Sequence, residues 1–211
     1  MARQFSEKTR GTARRPQKPL ILIVAEGHNM TENLYFRQFQ KQHNAYNIKV
    51  LIPGSATDPE RMLDKLEHFW RINEMDHQKG DHGFVVLDLD CDDRKGKLIE
   101  KLEAGTKVAH FIVSNPCFEV WYLLHYRYTT HAFSNSTEVI KELRNYIASY
   151  EKNRDISKLL SDRIETAYQN ALKLENYFQQ NGYSWPSNES NPRTDMPAVI
   201  EAIWNCEQGN V

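Results

Sequence analysis

Four short runs rich in apolar and β-branched residues organise the first half of the chain. They are Leu20-Ile21-Leu22-Ile23-Val24, Ile48-Lys49-Val50-Leu51-Ile52, Phe84-Val85-Val86-Leu87 and residues 107–113. Apolar runs that do not alternate with polar residues mark strands buried on both faces, as in a parallel sheet. Helical spacing fills the gaps between them. From about Thr31, Leu34, Tyr35 and Phe39 share one face, and Met62, Leu63, Leu66, Phe69 and Trp70 form a second stripe. Thr57-Asp58-Pro59-Glu60 reads as a capping box in front of that second helix, Pro53-Gly54 closes the second strand, and residues 80–83 read as a turn. A short helix is predicted around residues 96–103. This β–α alternation predicts an α/β fold: a parallel four-stranded sheet flanked by helices.

Beyond Pro116 the periodicity becomes helical. Phe118, Val120, Trp121, Leu124 and His125 suggest a buried helix, with His125 as a core histidine. Val139, Ile140, Leu143, Tyr146, Ile147 and Tyr150 form one amphipathic stripe, and Leu160, Ile164, Ala167, Tyr168, Ala171, Leu172 and Phe178 another. Asn181-Gly182 can end the latter. Met196, Val199, Ile200, Ile203 and Trp204 make a last short helix. The expected organisation is a basic disordered arm over residues 1–18, an α/β domain over 19–126 and a mainly helical C-terminal extension over 127–211, packed on it.

With 40% hydrophobic residues among 211, the chain can bury a core. No stretch nears the roughly 20 apolar residues of a membrane span, and the N-terminus lacks a signal-peptide core, so a cytoplasmic protein with no membrane partner is expected. Cys91, Cys117 and Cys206 fit no CxxC pattern and predict free thiols without a zinc knuckle. No HExxH is present, and His77 and His82 read as loop residues. The net charge of −1 says little, but residues 3–18 carry Arg3, Lys8, Arg10, Arg14, Arg15 and Lys18 against Glu7. Such an arm either contacts phosphates or is a solvated tail. Arg14 and Arg15, with Arg94 and Lys95, are the candidate nucleic-acid contacts.

The chemistry concentrates at strand ends. Glu26 follows the first strand, Asp88-Leu89-Asp90 the third, and Ser114-Asn115 the fourth. In open parallel sheets the carboxyl ends of the strands share one edge, where ligands bind. Carboxylates gathered there need a cation or a proton, because two like charges about 4 Å apart repel by roughly 4 kcal/mol at an effective dielectric near 20. Oxygen donors favour Mg²⁺ or Mn²⁺ over zinc. Asp92 and Asp93 extend the cluster, or else cap the next helix; Asn115 can instead bond its own turn. Asp88-x-Asp90-x-Asp92 is not an EF-hand, since its sixth and twelfth positions are Asp93 and Ile99. No GxxxxGK[ST] is present, which argues against intrinsic ATP hydrolysis.

A glutamate after the first strand and an Asp-x-Asp after a later one resemble the Toprim pattern of topoisomerases, primases and OLD-type nucleases. More specifically, the chain resembles RloB-like proteins, a Toprim group linked to phage defence and restriction loci. The resemblance rests on Ile23-Val24-Ala25-Glu26-Gly27 with Thr31-Glu32 and Tyr35-Phe36, on Val86-Leu87-Asp88-Leu89-Asp90, and on Asn191-Pro192. Its most specific segment is Ser114-Asn115-Pro116-Cys117-Phe118-Glu119-Val120-Trp121. It implies a Toprim-like sheet with Glu26, Asp88 and Asp90 as catalytic residues and Mg²⁺ (or Mn²⁺) ligands, and Glu32 as a further metal ligand. Three residues separate Glu26-Gly27 from Thr31-Glu32 where the family pattern has two, which shifts the placement of Glu32 alone. Glu119 is a further candidate, with a helix-start carboxylate as its plainer role.

The function this implies is a metal-dependent endonuclease acting on RNA, tRNA or DNA as an effector of antiviral defence by abortive infection. The rival is a non-catalytic or partner-silenced subunit beside an ABC- or AAA-type ATPase; a homo-oligomer is left open. A weaker rival is a phosphatase resembling the haloacid dehalogenases, whose Asp-x-Asp normally follows the first strand and which would leave Glu26 without a role.

Overall fold

The computed structural model describes residues 18–26, 31–40, 45–51 and 58–209. The arm with Arg14 and Arg15, the segment from Gly27 to Met30, Pro53-Gly54 and Thr57 lie outside the described residues. The first three strands and first two helices alternate as expected: β1 Leu20–Ala25, α1 Thr31–Gln40, β2 Asn47–Leu51, α2 Pro59–Ile72 and β3 His82–Asp88. Then come α3 Asp93–Gly105, β4 His110–Asn115 and α4 Glu119–Leu124. The remainder is α5 Ser136–Leu143, α6 Ser157–Leu160, α7 Ile164–Gln180, β5 Arg193–Thr194 and α8 Met196–Gln208.

Among the described residues the sheet has five strands, in the order β2-β1-β3-β4-β5. β1 to β4 are parallel, as the apolar runs predict, with Val24 opposite Val85 and Asp88 opposite Ser114. The sheet is nevertheless mixed, because β5 joins antiparallel, pairing Ser114 with Thr194 and Asn115 with Arg193. This corrects the four-stranded parallel expectation. Arg193 and Thr194, two polar residues after Pro192, carry no strand periodicity; only pairing with β4, helped by a 2.8 Å bond between the Ser114 and Thr194 hydroxyls, makes them a strand.

Alternation along each strand sends side chains to two cores. Leu22, Val24, Val85, Leu87, Phe111 and Val113 meet Met62, Leu66 and Trp70 of α2 and Ile99 of α3. Ile21, Ile23, Phe84, Val86 and Ile112 meet α1 and the C-terminal helices in one continuous core. At its centre lies α4, six residues long and buried all round.

Several boundaries moved for local reasons. α2 is capped by Asp58, which accepts the Arg61 N–H at 3.0 Å. α3 is longer than predicted because Asp92 caps it. The stripe ending at Tyr150 is helical only to Leu143 and continues as turns. Residues 80 and 81 form the turn, whereas Gly83 is already inside β3; His77 sits in a short 3₁₀ turn and His82 opens β3. The three cysteines are free. Among the described residues no helix is long and apolar enough to cross a membrane.

Candidate active site

The strand order reverses between β1 and β3, since β1 leads outward to β2 on one side while β3 and β4 extend the other. At such a switch point the loops leaving the two carboxyl ends diverge and open a crevice. Glu26 leaves β1 at this point and Asp88 ends β3 beside it. Glu26 continues the ladder by donating its N–H to the Val86 carbonyl at 3.0 Å, and its Oε2 accepts the Asp88 N–H at 3.0 Å. The two acids that the sequence separates by sixty-odd positions are thus fixed to each other through the backbone.

Past Asp88 the chain turns sharply. Asp90 and Cys91 both adopt left-handed backbone conformations, with φ of 56° and 58°. Each costs a non-glycine residue on the order of 1 kcal/mol, and such strain collects at functional sites. Bonds from Leu89 N to Ser114 O at 2.8 Å and from Asp90 N to Pro116 O at 3.0 Å hold the turn. The turn brings Asp90 within 3.0 Å of the Lys95 ammonium, which also lies 3.2 Å from both oxygens of Glu26. Lys95, expected among the nucleic-acid contacts, therefore lies inside the acid cluster. Arg94 points to solvent and pairs with Asp92.

Behind this outer set lies an inner one. Asp88 Oδ1 accepts the Phe118 N–H at 2.7 Å at the entrance to α4. Glu32 in the first turn of α1 and Glu119 at the start of α4 are both buried. Glu119 Oε1 accepts the Tyr150 hydroxyl at 2.9 Å and lies 3.6 Å from the Lys152 ammonium. One oxygen of each glutamate, Oε2, is buried without a hydrogen-bond partner.

Burial first, then the neighbouring acids Glu32, Glu119, Glu26 and Asp90, push the Asp88 carboxyl well above the usual range. Burial pushes Glu32 up to about 7, with Glu119 adding to the effect and Lys152 opposing it. Glu26 is raised by burial against the pull of Lys95. Lys95 is raised in turn, because its burial is outweighed by the attraction of Glu26 and Asp90.

The secondary candidates divide. Asp92 accepts the Arg94 N–H at 2.8 Å as the cap of α3. Asp93 faces away and takes the Ser187 hydroxyl and the Asn188 N–H. Asn115 is buried and donates to Ser187 O and Ser190 O, tying down the loop before β5. His125 is a core residue, as expected. Lys152 and Tyr150 escaped sequence reasoning. Tyr150 was legible only as a packing position, and Lys152 sits in a polar loop without periodicity.

The donor set suits a hard divalent cation: oxygens alone, with unpaired buried carboxylate atoms. As the side chains stand, no three His, Cys, Asp or Glu residues among the described ones converge closely enough to hold a metal ion, and Lys95 supplies the positive charge between Glu26 and Asp90.

Fold and site together define an α/β protein with acids gathered at the switch point of its sheet and backed by a helical face. The RloB-like protein family model matches residues 21–203, and the chain belongs to that family. Neither the curated proteins nor the solved structures gave a match.

Proposed function

We propose that this protein hydrolyses phosphodiester bonds in nucleic acid with the help of Mg²⁺ or Mn²⁺. The observation that carries this reading is the bond from the Asp88 N–H to Glu26 Oε2, which joins the two strand-end acids at the switch point. Glu26, Asp88 and Asp90 would hold the ion, with Glu32 and Glu119 behind them. When bound, such an ion would polarise a phosphoryl oxygen and lower the pKa of a water, so that the water gives up a proton and attacks as hydroxide. Glu26, fixed to the Asp88 backbone at this edge, would serve either as a ligand of the ion or as the base that accepts a proton from the attacking water. Lys95 presents an ammonium at the same spot and can neutralise a phosphate oxygen. Phe118 N fixes the Asp88 carboxylate.

Purified protein given Mg²⁺ or Mn²⁺ with plasmid, single-stranded DNA, total RNA and tRNA should cleave at least one of them, and Asp88→Asn should abolish the cleavage. Undiminished cleavage by that variant would falsify the site. Turnover of a small phosphomonoester that survives Glu26→Gln would favour a phosphatase resembling the haloacid dehalogenases instead.

A second reading is favoured by Lys95, which already satisfies Glu26 and Asp90. In that reading the resting chain is silent and a partner, an ABC- or AAA-type ATPase, controls it within an antiviral defence system. Capture of an ATPase from the native locus, with cleavage appearing only on its release, would support it.

A further inference from the structure

A second chemical feature lies on the helical side of the molecule. Tyr126 leaves α4, and Tyr146 sits in the turns after α5. Their rings stack with centroids 5.3 Å apart and planes at 22°. The Arg163 guanidinium carbon lies 5.1 Å from the centre of the Tyr126 ring. Tyr126 is pinned by its hydroxyl, which donates to Leu159 O at 3.2 Å. Among the described residues the column is open on one side: Tyr146 is 41% exposed and Leu159 55%.

The turn carrying Tyr146 is braced by exposed guanidinium groups. Arg144 Nε donates to Tyr150 O at 3.2 Å and Arg154 to Ser149 O at 3.1 Å. Open π-surface with the Arg163 guanidinium against one ring, on a turn braced by the exposed Arg144 and Arg154, matches the two parts of a nucleotide, a flat base and an anionic phosphate. The column also lies near the acid cluster. Tyr126 is seven residues beyond Glu119, on the order of 10 Å along α4 and its last turn, and Tyr146 is four residues before Tyr150, whose hydroxyl touches Glu119.

We propose that Tyr126, Tyr146 and Arg163 form a stacking platform for an unpaired base, so that the substrate is single-stranded or looped nucleic acid. A base within a duplex is already stacked on both faces and gains nothing from an outside ring, whereas an unpaired base gains a partner on the open face of the column. Arginine beside the rings adds a cation–π and a phosphate contact. This inference rests on the phosphodiesterase reading for its place in function, but its binding test does not need catalysis.

The test uses the whole chain in metal-free buffer, where hydrolysis is not read. Fluorescence anisotropy compares a short unstructured oligonucleotide carrying 2-aminopurine with a blunt duplex of the same length. The wild type should bind the single strand more tightly and quench the 2-aminopurine. Tyr146→Ala should weaken single-strand binding on the order of tenfold and remove the quenching, with duplex binding unchanged and Tyr146→Trp restoring both. Equal losses on both probes, no loss on either, or no single-strand binding by the wild type would overturn the platform. If Asp88→Asn abolishes cleavage while Tyr146→Ala leaves affinity intact, the platform alone falls. If no substrate is cleaved, by the lone chain or on release from a captured ATPase, yet the Tyr146 effect persists, the platform stands and the nuclease reading falls.

Discussion

At the scale of single residues, burial decides what each ionisable group can do. His125 has no exposed surface, and its Nδ1–H donates to the Trp121 carbonyl at 2.8 Å. Burial holds its imidazole down to about 4, with Arg163 adding to the effect. An unfolded histidine titrates near roughly 6.5, so its contribution to stability is complete above that value and is lost as pH falls towards the folded one. The wild type should therefore lose up to about 3 kcal/mol relative to His125→Phe between pH 7 and pH 4. Urea unfolding across that range measures it, and a constant difference would refute it. The sequence marked His125 as a core residue by its place on an apolar helix. It also marked Glu26, Asp88 and Asp90, because each follows an apolar run. It could not mark Lys95 as part of the cluster, because that depends on two consecutive left-handed residues, Asp90 and Cys91, and no glycine in the sequence announces such a turn.

At the scale of elements, α3 carries Lys95 to the site, and its seat depends on a close approach. A Cβ on Gly96 would come within 2.4 Å of the Pro186 carbonyl oxygen, whereas one on Gly105 of the same helix would meet nothing within 4 Å. The same substitution should then act with opposite signs. Gly96→Ala should destabilise by about 1–3 kcal/mol, since the backbone clash outweighs the propensity gained. Gly105→Ala should be neutral or stabilising by up to about 1 kcal/mol. Thermal unfolding of the two variants settles it, and a stabilised Gly96→Ala would show that the loop yields freely. β1, β3 and β4 were readable because strands buried on both faces need continuous apolar runs, while the edge strand β2, with Asn47 and Lys49 exposed, was readable from its β-branched Ile48 and Val50. β5 was not, because Arg193–Thr194 owes its strand form to β4 alone. The stripe from Val139 to Tyr150 was readable as buried positions but not as a helix that stops at Leu143, since periodicity reports facing and not hydrogen bonding.

At the scale of the molecule, the acid cluster belongs to both halves of the chain. The sheet edge supplies Glu26, Asp88 and Asp90, while Tyr150 and Lys152 reach Glu119 from the helical side. Gathered charge makes the metal-free state repulsive, so Asp88→Asn should melt higher than the wild type without metal. A ligand at a hundred times its Kd adds about 2.7 kcal/mol, so Mg²⁺ should raise the wild-type Tm by roughly 5–10 °C and leave the variant unmoved. Differential scanning calorimetry with and without EDTA reads both effects. An equal rise in both proteins would place the ion elsewhere.

The most direct test is crystallographic. Crystals soaked in Mn²⁺ should give an anomalous peak among Glu26, Asp88 and Asp90, with the Lys95 ammonium displaced from its 3.0 Å contact to Asp90. Fully occupied Mn²⁺ at another site, with Lys95 still bonded to Glu26 and Asp90, would contradict a metal-dependent phosphodiesterase at this edge.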